Sequence, residues 1–284
     1  MRSDQNSNFL ITVLLASYNW PQALSLSLHS LNAQTELNFE VIIADDGSKP
    51  DTTEFINQFK AVARFPLHHV WQEDIGFRKA KILNTAINLA KGDYLVFLDG
   101  DCLAQPDFIA RHRALARPGY LVTGSRVLLS NGITQQMLAR QALYGLCSPG
   151  WSFKRFLWQI PVLRLTSSVN KLLPFFIKFP FNRFRLYTRF VWRRIKGCNM
   201  ACWRADALNV EGFDETLTGW GHEDADFVFR LQDSGIGRMS GAWATEVLHL
   251  DHPVSDRAQA DENAHKVRAK ILSKSKNITI PTNV

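Results

Sequence analysis

Phe97-Leu98-Asp99-Gly100-Asp101 closes an apolar run that begins at Tyr94 and leaves two carboxylates one residue apart where a buried strand gives out. Side chains at i and i+2 of a strand share a face, so Asp-x-Asp sends two hard oxygen ligands the same way, where one cation can bridge them and a diphosphate. Carboxylates otherwise avoid such positions. Outward from this stretch the pattern repeats. Residues 9–16, 39–44, 67–71 and 94–98 read as strands, and residues 21–33, 52–63 and 76–90 between them have helical periodicity. Such alternation predicts an α/β protein, with a mostly parallel central sheet flanked by helices and ligands at the carboxyl ends of its strands.

Those strand ends carry the polar residues: Ser17-Tyr18-Asn19, Asp45-Asp46-Gly47-Ser48, Gln72-Glu73-Asp74 and the Asp99–Asp101 pair. Asp-Gly-Ser is also ordinary turn and cap chemistry, so the Asp45-Asp46 pair has a structural alternative. A second acidic cluster stands far along the chain, Gly219-Trp220-Gly221-His222-Glu223-Asp224-Ala225-Asp226. Acids in a first helical turn are favoured by the helix dipole, which explains some of it if residues 222–232 form a helix. It does not explain Gly-Trp-Gly, where the glycines let backbone approach a ligand and the indole offers a flat face for a sugar ring. Residues 197–204 and 242–248 read as short strands and 211–215 as a turn. His249 and His252 follow beside Pro253, and a helix fades out from residue 255. Paired carboxylates, a metal-competent motif and polar strand ends point to an enzyme acting on a nucleotide-activated substrate.

The 284 residues, 46% hydrophobic and 21% charged, suffice for a substantial core. The net charge of +7 is concentrated: residues 151–196 contain eleven Lys or Arg, no acid, and many aromatics interleaved with prolines. Such a segment suits an anionic lipid interface; the alternatives are a helical excursion packed on the body and, behind both, nucleic-acid binding, for which no recognition module is present. No nucleic acid is expected as a partner. Four cysteines without framework density suggest reduced thiols, and no apolar stretch is long enough to span a membrane. Residues 9–16 read as a strand, not a secretion signal.

Ala16-Ser17-Tyr18-Asn19, Ala44-Asp45-Asp46-Gly47-Ser48, Gln72-Glu73-Asp74-Ile75-Gly76-Phe77-Arg78, Phe97-Leu98-Asp99-Gly100-Asp101, Gly197-Cys198-Asn199-Met200, Gly212-Phe213-Asp214 and Gly219-Trp220-Gly221-His222-Glu223-Asp224 together resemble the family 2 glycosyltransferases of GT-A fold. The later blocks are similar to the galactosyltransferase-type C-terminal region of bacterial polysaccharide and lipopolysaccharide enzymes. The resemblance implies inverting transfer of a hexose or N-acetylhexosamine from a UDP-sugar donor to a hydroxyl of a glycan or glycolipid acceptor, such as a lipopolysaccharide. It implies Mn2+ or Mg2+ on Asp101, with Asp99 shared between metal and ribose and with His249 or His252 completing the site. Ala16, Tyr18 and Asp46, with Asp45, would hold the base, and Arg78 would lie by the nucleotide. Trp220, Gly221 and Glu223 would bind the acceptor, Glu223 orienting it and Asp224 serving as catalytic base. His222 stands where relatives often carry Gly, so acceptor choice is not carried over.

On this reading residues 1–125 are the nucleotide-sugar half, 126–196 the basic aromatic insert, 197–254 the acceptor and catalytic half, and 255–284 a C-terminal helix and tail. The expected location is cytoplasmic, peripheral on the inner face of a bacterial membrane through residues 151–196. A metal-dependent nucleotidyltransferase would bring a Gly-rich phosphate loop with a basic residue, and Gly119-x4-Gly124 is followed by Ser125-Arg126 instead of Lys-Ser/Thr. A non-catalytic membrane or carbohydrate-binding module leaves Asp99, Asp101 and Asp224 without a purpose.

Overall fold

The structure is a computed structural model that describes residues 8–150, 162, 164–165, 168–171, 185–187, 189–192, 195–253 and 256–274. The first apolar runs form β1 (Ile11–Ser17), β2 (Phe39–Asp45), β3 (Leu67–Trp71) and β4 (Tyr94–Asp99), joined by α1 (Pro21–Asn32), α2 (Pro50–Phe59) and α3 (Lys79–Leu89). All of β2 and nearly all of β1 are buried, which is why both run apolar without alternation. Val13 and Leu15 pack with Leu24, Leu28, Phe55 and Phe59 on one face; Leu14 packs with Ala80, Leu83 and Ile87 on the other. Each such side chain contributes roughly 1.5–3 kcal/mol when fully buried.

The chain continues through β5 (Cys102–Ala104), α4 (Phe108–Leu115), β6 (Tyr120–Thr123), β7 (Arg126–Leu128), α5 (Asn131–Tyr144) and β8 (Leu186–Tyr187). It ends with β9 (Asn199–Trp203), α6 (Arg204–Asn209), α7 (Glu223–Asp233), β10 (Gly237–Ser240), β11 (Val247–His249) and α8 (Ala260–Lys274). The large sheet has the order β3-β2-β1-β4-β9-β6-β10-β8, and a smaller one the order β5-β11-β7. β1 pairs in parallel with β2 and β4, and β6 with β10, so the sheet is mostly parallel as expected. β9 lies antiparallel between β4 and β6. It thereby joins the second acidic region to the strand that ends in Asp99.

Several boundaries differ from the sequence reading, each for a local reason. The third helix begins at Lys79, not residue 76, because Gly76 has φ +76° and the Arg78 amide goes to Asp46. The strand expected over 242–248 shrinks to Val247–His249, since Trp243 has φ +64° and the Thr245 amide turns back to the Gly241 carbonyl. The terminal helix starts at Ala260, where Val267 and Ile271 pack on Leu217 and Phe229. Lys270 ties it down by pairing with Asp214 and, at 2.8 Å, with Asp226, which also receives Arg230 at 2.7 Å.

Most of residues 151–196, on which the membrane expectation rests, lie outside the described residues. Some of those described pack on the body, where Arg185 donates to the Ser240 and Ala242 carbonyls and Phe190 and Trp192 abut the core, whereas Val162 and Leu165 are exposed. Among the described residues no helix is long and apolar enough to cross a membrane. All four cysteines are free thiols.

Candidate active site

A cavity of about 710 Å³ opens at the carboxyl ends of β1, β2 and β4. Ala16, Tyr18, Asp46, Asp99, Asp101, Trp220, Glu223, His249 and His252 line it, so most of the site residues expected from sequence meet there. Asp45, Arg78, Gly221 and Asp224 are not among its lining residues.

The two carboxylates after β2 part company. Asp45 is fully buried and braces its own turn, accepting the Ser48 amide at 2.8 Å and lying 3.0 Å from His69 Nε2. Asp46 faces the cavity, its two oxygens accepting Gln72 Nε2 at 2.5 Å and the Arg78 amide at 2.8 Å. Burial raises the Asp46 pKa against those bonds. The Arg78 guanidinium donates to the Glu73 carbonyl, and the Tyr18 hydroxyl donates to Asp74 at 2.9 Å. Arg78 thus closes the loop after β3 by both its backbone and its side chain.

The Asp-x-Asp pair divides in the same way. Gly100 is required between its members because its amide bonds the Ala16 carbonyl at 2.7 Å, and a Cβ there would lie 2.9 Å from that oxygen. Asp99 Oδ1 takes the ammonium of Lys79 at 2.5 Å. Asp101 instead faces the histidines, with Oδ2 3.0 Å from His252 Nε2 and Oδ1 3.7 Å from His249 Nε2. The ligand atoms of Asp101, His249 and His252 all lie within 4.8 Å of one another, the one such group among the described residues.

The ring orientations suit a cation. Nδ1 of His249 donates to the Leu250 carbonyl at 2.8 Å and Nδ1 of His252 to the Pro253 carbonyl at 2.7 Å. A carbonyl only accepts, so each Nδ1 carries the proton and each Nε2 is left to face Asp101, the usual outer support of a histidine ligand. Burial alone would raise Asp101, but the His252 bond and both imidazoles pull it below the usual range, while Asp101 lifts His252 to about 9. One carboxylate with two imidazoles fits Mn2+ better than Mg2+, which prefers oxygen alone.

On the far wall stands the start of α7. Gly219 (φ +75°), Gly221 (φ +113°) and His222 (φ +73°) all take left-handed backbone, which the two glycines adopt without a Cβ penalty, and the Gly219 amide donates to the Phe77 carbonyl. This bond anchors the Gly-Trp-Gly loop to the Gly-Phe-Arg block. Trp220 presents its ring to the cavity with Arg257 5.0 Å over it. Glu223 is buried, and its Oε2 has no hydrogen-bond partner. Burial and the Asp224 charge push Glu223 up to about 7, opposed by Lys79. Asp224 accepts the Gly197 amide at 2.8 Å and the Ala225 amide at 2.7 Å.

Besides Arg257, two further cavity-lining cations escaped the sequence reading. Lys79 is held charged by Asp99 and Glu223 in spite of burial. Arg126 has Nη1 3.8 Å from Cys198 Sγ. Their positions next to Gly-Phe-Arg and after Gly124-Ser125 were the available signals. Asn199, quoted only as part of a block, proves to be a staple: its Nδ2 donates to the Ser125 carbonyl at 3.0 Å and also to the Thr245 carbonyl.

Comparison with known proteins places this geometry in context. The model described as glycosyl transferase family 2 matches residues 12–190, and that described as the N-terminal domain of galactosyltransferase matches residues 181–253. A validoxylamine A glucosyltransferase of Streptomyces hygroscopicus subsp. jinggangensis is 28% identical over 84% of this chain and 56% of its own length. The chondroitin synthase of Escherichia coli is 26% identical over 79% of this chain and 32% of its own. The chain thus spans about half the length of the glucosyltransferases it matches, and less of the synthase. Among solved structures, the mannosyltransferase PcManGT of Pyrobaculum calidifontis, in complex with GDP-Man and Mn2+, superposes with TM-score 0.60 at 16% identity, covering 97% of this chain and 68% of that one. GalNAc-T7 with UDP, GalNAc and Mn2+ gives 0.63 at 13% identity, covering 94% and 48%. These likenesses establish a GT-A architecture.

Proposed function

The chain belongs to glycosyl transferase family 2, and we propose that it transfers a sugar from a nucleoside diphosphate donor to an acceptor hydroxyl with inversion at the anomeric carbon. The observation that carries this reading is the meeting, in one cavity at the strand ends, of three parts: the Asp101–His249–His252 cluster, the Asp99–Lys79 pair and the buried Glu223. Ala16, Tyr18 and Asp46 receive the base and ribose, with Asp45 and Arg78 bracing the loops that carry them. Asp101, His249 and His252 hold the divalent ion, which when bound offsets charge on the leaving diphosphate. Asp99 and Lys79 face the diphosphate and the donor sugar, and Trp220 stacks on the acceptor. A carboxylate at the start of α7 takes the acceptor proton.

UDP is the donor nucleotide we favour, and a glycan or glycolipid such as a lipopolysaccharide the acceptor. The relatives named for glucosyl transfer and chondroitin synthesis support a saccharide-like acceptor. The composition of residues 151–196 supports attachment to the inner face of a bacterial membrane. Failure of the protein to bind anionic vesicles at low salt would remove that part.

The deciding experiment is calorimetric titration of UDP with and without Mn2+, on the wild type and on Asp101→Ala. Metal-dependent binding that the variant loses is expected. If neither UDP nor another nucleoside diphosphate binds under any condition, the proposal fails.

A further inference from the structure

We propose that the acceptor is itself an anion, carrying a carboxylate or phosphate close to its reacting hydroxyl, and that Arg126 receives this group inside the cavity. The proposal rests on the sugar-transfer reading above and names the chemical class of its second substrate.

It starts from a cation without a counterion. Arg126, at the start of β7, is half-buried and lines the cavity together with Leu128, Leu129 and Trp220. A guanidinium presents several N–H donors, and taking such a group out of water is costly unless those donors are met. Among the described residues the hydrogen-bond partner of its side chain is Cys198 Sγ, a weak acceptor at 3.8 Å, and no carboxylate stands within ion-pair distance. The carboxylate whose charge bears on it is Asp99, which already holds Lys79. The rest of the chain has little to add. No Asp or Glu occurs between Asp107 and Asp206, and outside the described residues the sequence contains a single acid, Asp4. A ligand is left as the source of the missing negative charge.

Lys171 strengthens the case. It is half-buried behind Arg126, its Nζ donating to Ser125 Oγ at 2.7 Å and to the Arg126 carbonyl at 2.9 Å, both neutral oxygens. Burial lowers its pKa; Glu246 opposes this, and the charges of Lys196 and Arg126 add to it. Glu246 is itself hydrogen-bonded to the Trp243 amide. Positive charge from three stretches of chain thus collects beside one wall of the cavity.

That wall is the one proposed for the acceptor. Cys198, which Arg126 touches, follows Gly197, whose amide is held by Asp224 at the start of α7. Asn199 joins the same stretch to the Ser125 carbonyl. Arg126 therefore belongs to the framework that carries Trp220 and Glu223. Residues 168–171 run beside β7, with the Ser130 amide donating to the Ser168 carbonyl and the Leu128 amide to Asn170 Oδ1, both at 2.9 Å. The basic stretch of the sequence thus meets the body at the rim of the cavity, where its charge draws an anion inward. The planar fork of an arginine grips a carboxylate or a phosphate by two parallel bonds, which fixes the orientation of the acceptor as well as its charge.

The test is binding of small acceptor probes to the full chain loaded with UDP and Mn2+, so that the diphosphate site is filled beforehand. Methyl β-glucuronide and glucose 6-phosphate would be compared with uncharged methyl β-glucoside, and methyl β-galacturonide with methyl β-galactoside, each followed by tryptophan fluorescence. At least one anionic probe should bind about tenfold or more tightly than its uncharged counterpart, and about 0.5 M NaCl should shrink the difference. Tighter binding of a uronide identifies a carboxylate acceptor, and of the sugar phosphate a phosphorylated one. Arg126→Met, which keeps the apolar stem, should erase the difference while shifting the UDP dissociation constant less than about threefold. Arg126→Lys and Lys171→Met should each reduce it about threefold. Equal binding of charged and uncharged probes to the wild type, or binding of none, overturns the proposal, as does a preference that none of the variants alters. A loss of UDP affinity in Arg126→Met as large as its loss of probe affinity also overturns it, since the arginine then serves the donor diphosphate. A wild type that binds no nucleoside diphosphate at all sinks the transfer reading itself, a result distinct from the others.

Discussion

Asp46 and Glu223 are both buried carboxylates on the wall of the same cavity, but the fold treats them oppositely. Asp46 has both oxygens occupied, by Gln72 and by the Arg78 amide. Glu223 has an oxygen that nothing reaches. The same contrast extends to their surroundings. The loop after β2 is cross-braced by Ser48, His69 and Trp71, whose indole N–H donates to the Ser48 carbonyl at 3.1 Å. The loop before α7 holds three successive turns of positive φ, at Gly219, Gly221 and His222. On the proposed function the first would be the donor wall, where Asp46 is already paired although Gln72 Oε1 and Arg78 Nε beside it have no partner, and the second the acceptor wall, where the carboxylate itself keeps an unmet hydrogen bond.

The contrast breaks most easily at the Asp101–His249–His252 cluster, the proposed metal site. Asp101→Ala removes the carboxylate that both histidines face, and should lower donor turnover by roughly a thousandfold and abolish the Mn2+ dependence of UDP affinity. A variant with full Mn2+-dependent affinity would mean that the cluster is a structural knot and that the cavity works without it.

A second test concerns Asp226, which lies one turn beyond Glu223 and is also buried, yet is fully paired with Arg230 and Lys270. Removing it strands Arg230 and leaves Lys270 with Asp214 alone, so Asp226→Ala should lower unfolding stability in urea by about 2–4 kcal/mol, the lower end reflecting the remaining Asp214 pair and the partial exposure of Lys270. Donor affinity measured below the transition should change little. A stability loss under about 0.5 kcal/mol would show that α8 docks through Val267 and Ile271 alone.

On the donor wall, Asp46→Ala frees the Arg78 amide and Gln72 and should weaken UDP binding by about tenfold, close to 1.4 kcal/mol. Turnover at saturating donor should stay within about threefold. If turnover falls instead while affinity holds, Asp46 contributes to the reaction and the division between the two walls is wrong.

The legibility of the sequence follows the same division. β1, β2 and β4 declared themselves because a strand covered on both faces must be apolar throughout, and Pro21 marked a helix start, whereas the second helix begins at Pro50, two residues before the expected 52. The cluster at Asp101 was readable because its histidines are neighbours in sequence beside Pro253. β10 was not, since Gly237-Arg238-Met239-Ser240 looks like a polar turn until Arg238 is seen fully buried, its Nη1 donating to the Val191 carbonyl at 2.8 Å. Lys79 resembled any lysine at a helix start; only tertiary contact with Asp99 and Glu223 separates it from Lys81. Asp45 and Asp46 were indistinguishable in type, and so were Glu223 and Asp224. Composition identifies carboxylates at a strand or helix end, but which of two neighbours is spent on backbone bonds is decided by chains arriving from elsewhere, here Gln72, Arg78 and Gly197.

The smallest expected effect is also the one whose sign depends most on this contrast. Glu223 is lifted from its ordinary 4.5 to about 7, so the folded state favours the neutral carboxyl. Such a group costs nothing below the unfolded value, costs progressively more as pH rises from 4.5, and costs its full amount above about 7, on the order of 3 kcal/mol by conversion. Glu223→Gln removes that charge cost and retains a buried amide with unmet hydrogen bonds, which offsets about 1–3 kcal/mol of the gain. The variant should therefore be more stable than wild type by about 1 kcal/mol at pH 8 and less stable at pH 4.5, with the curves crossing between. Urea unfolding at the two pH values reads this directly. An equal stability difference at both would mean that Glu223 is ionised in the folded protein across the whole range, and that its unpartnered oxygen is open to water after all.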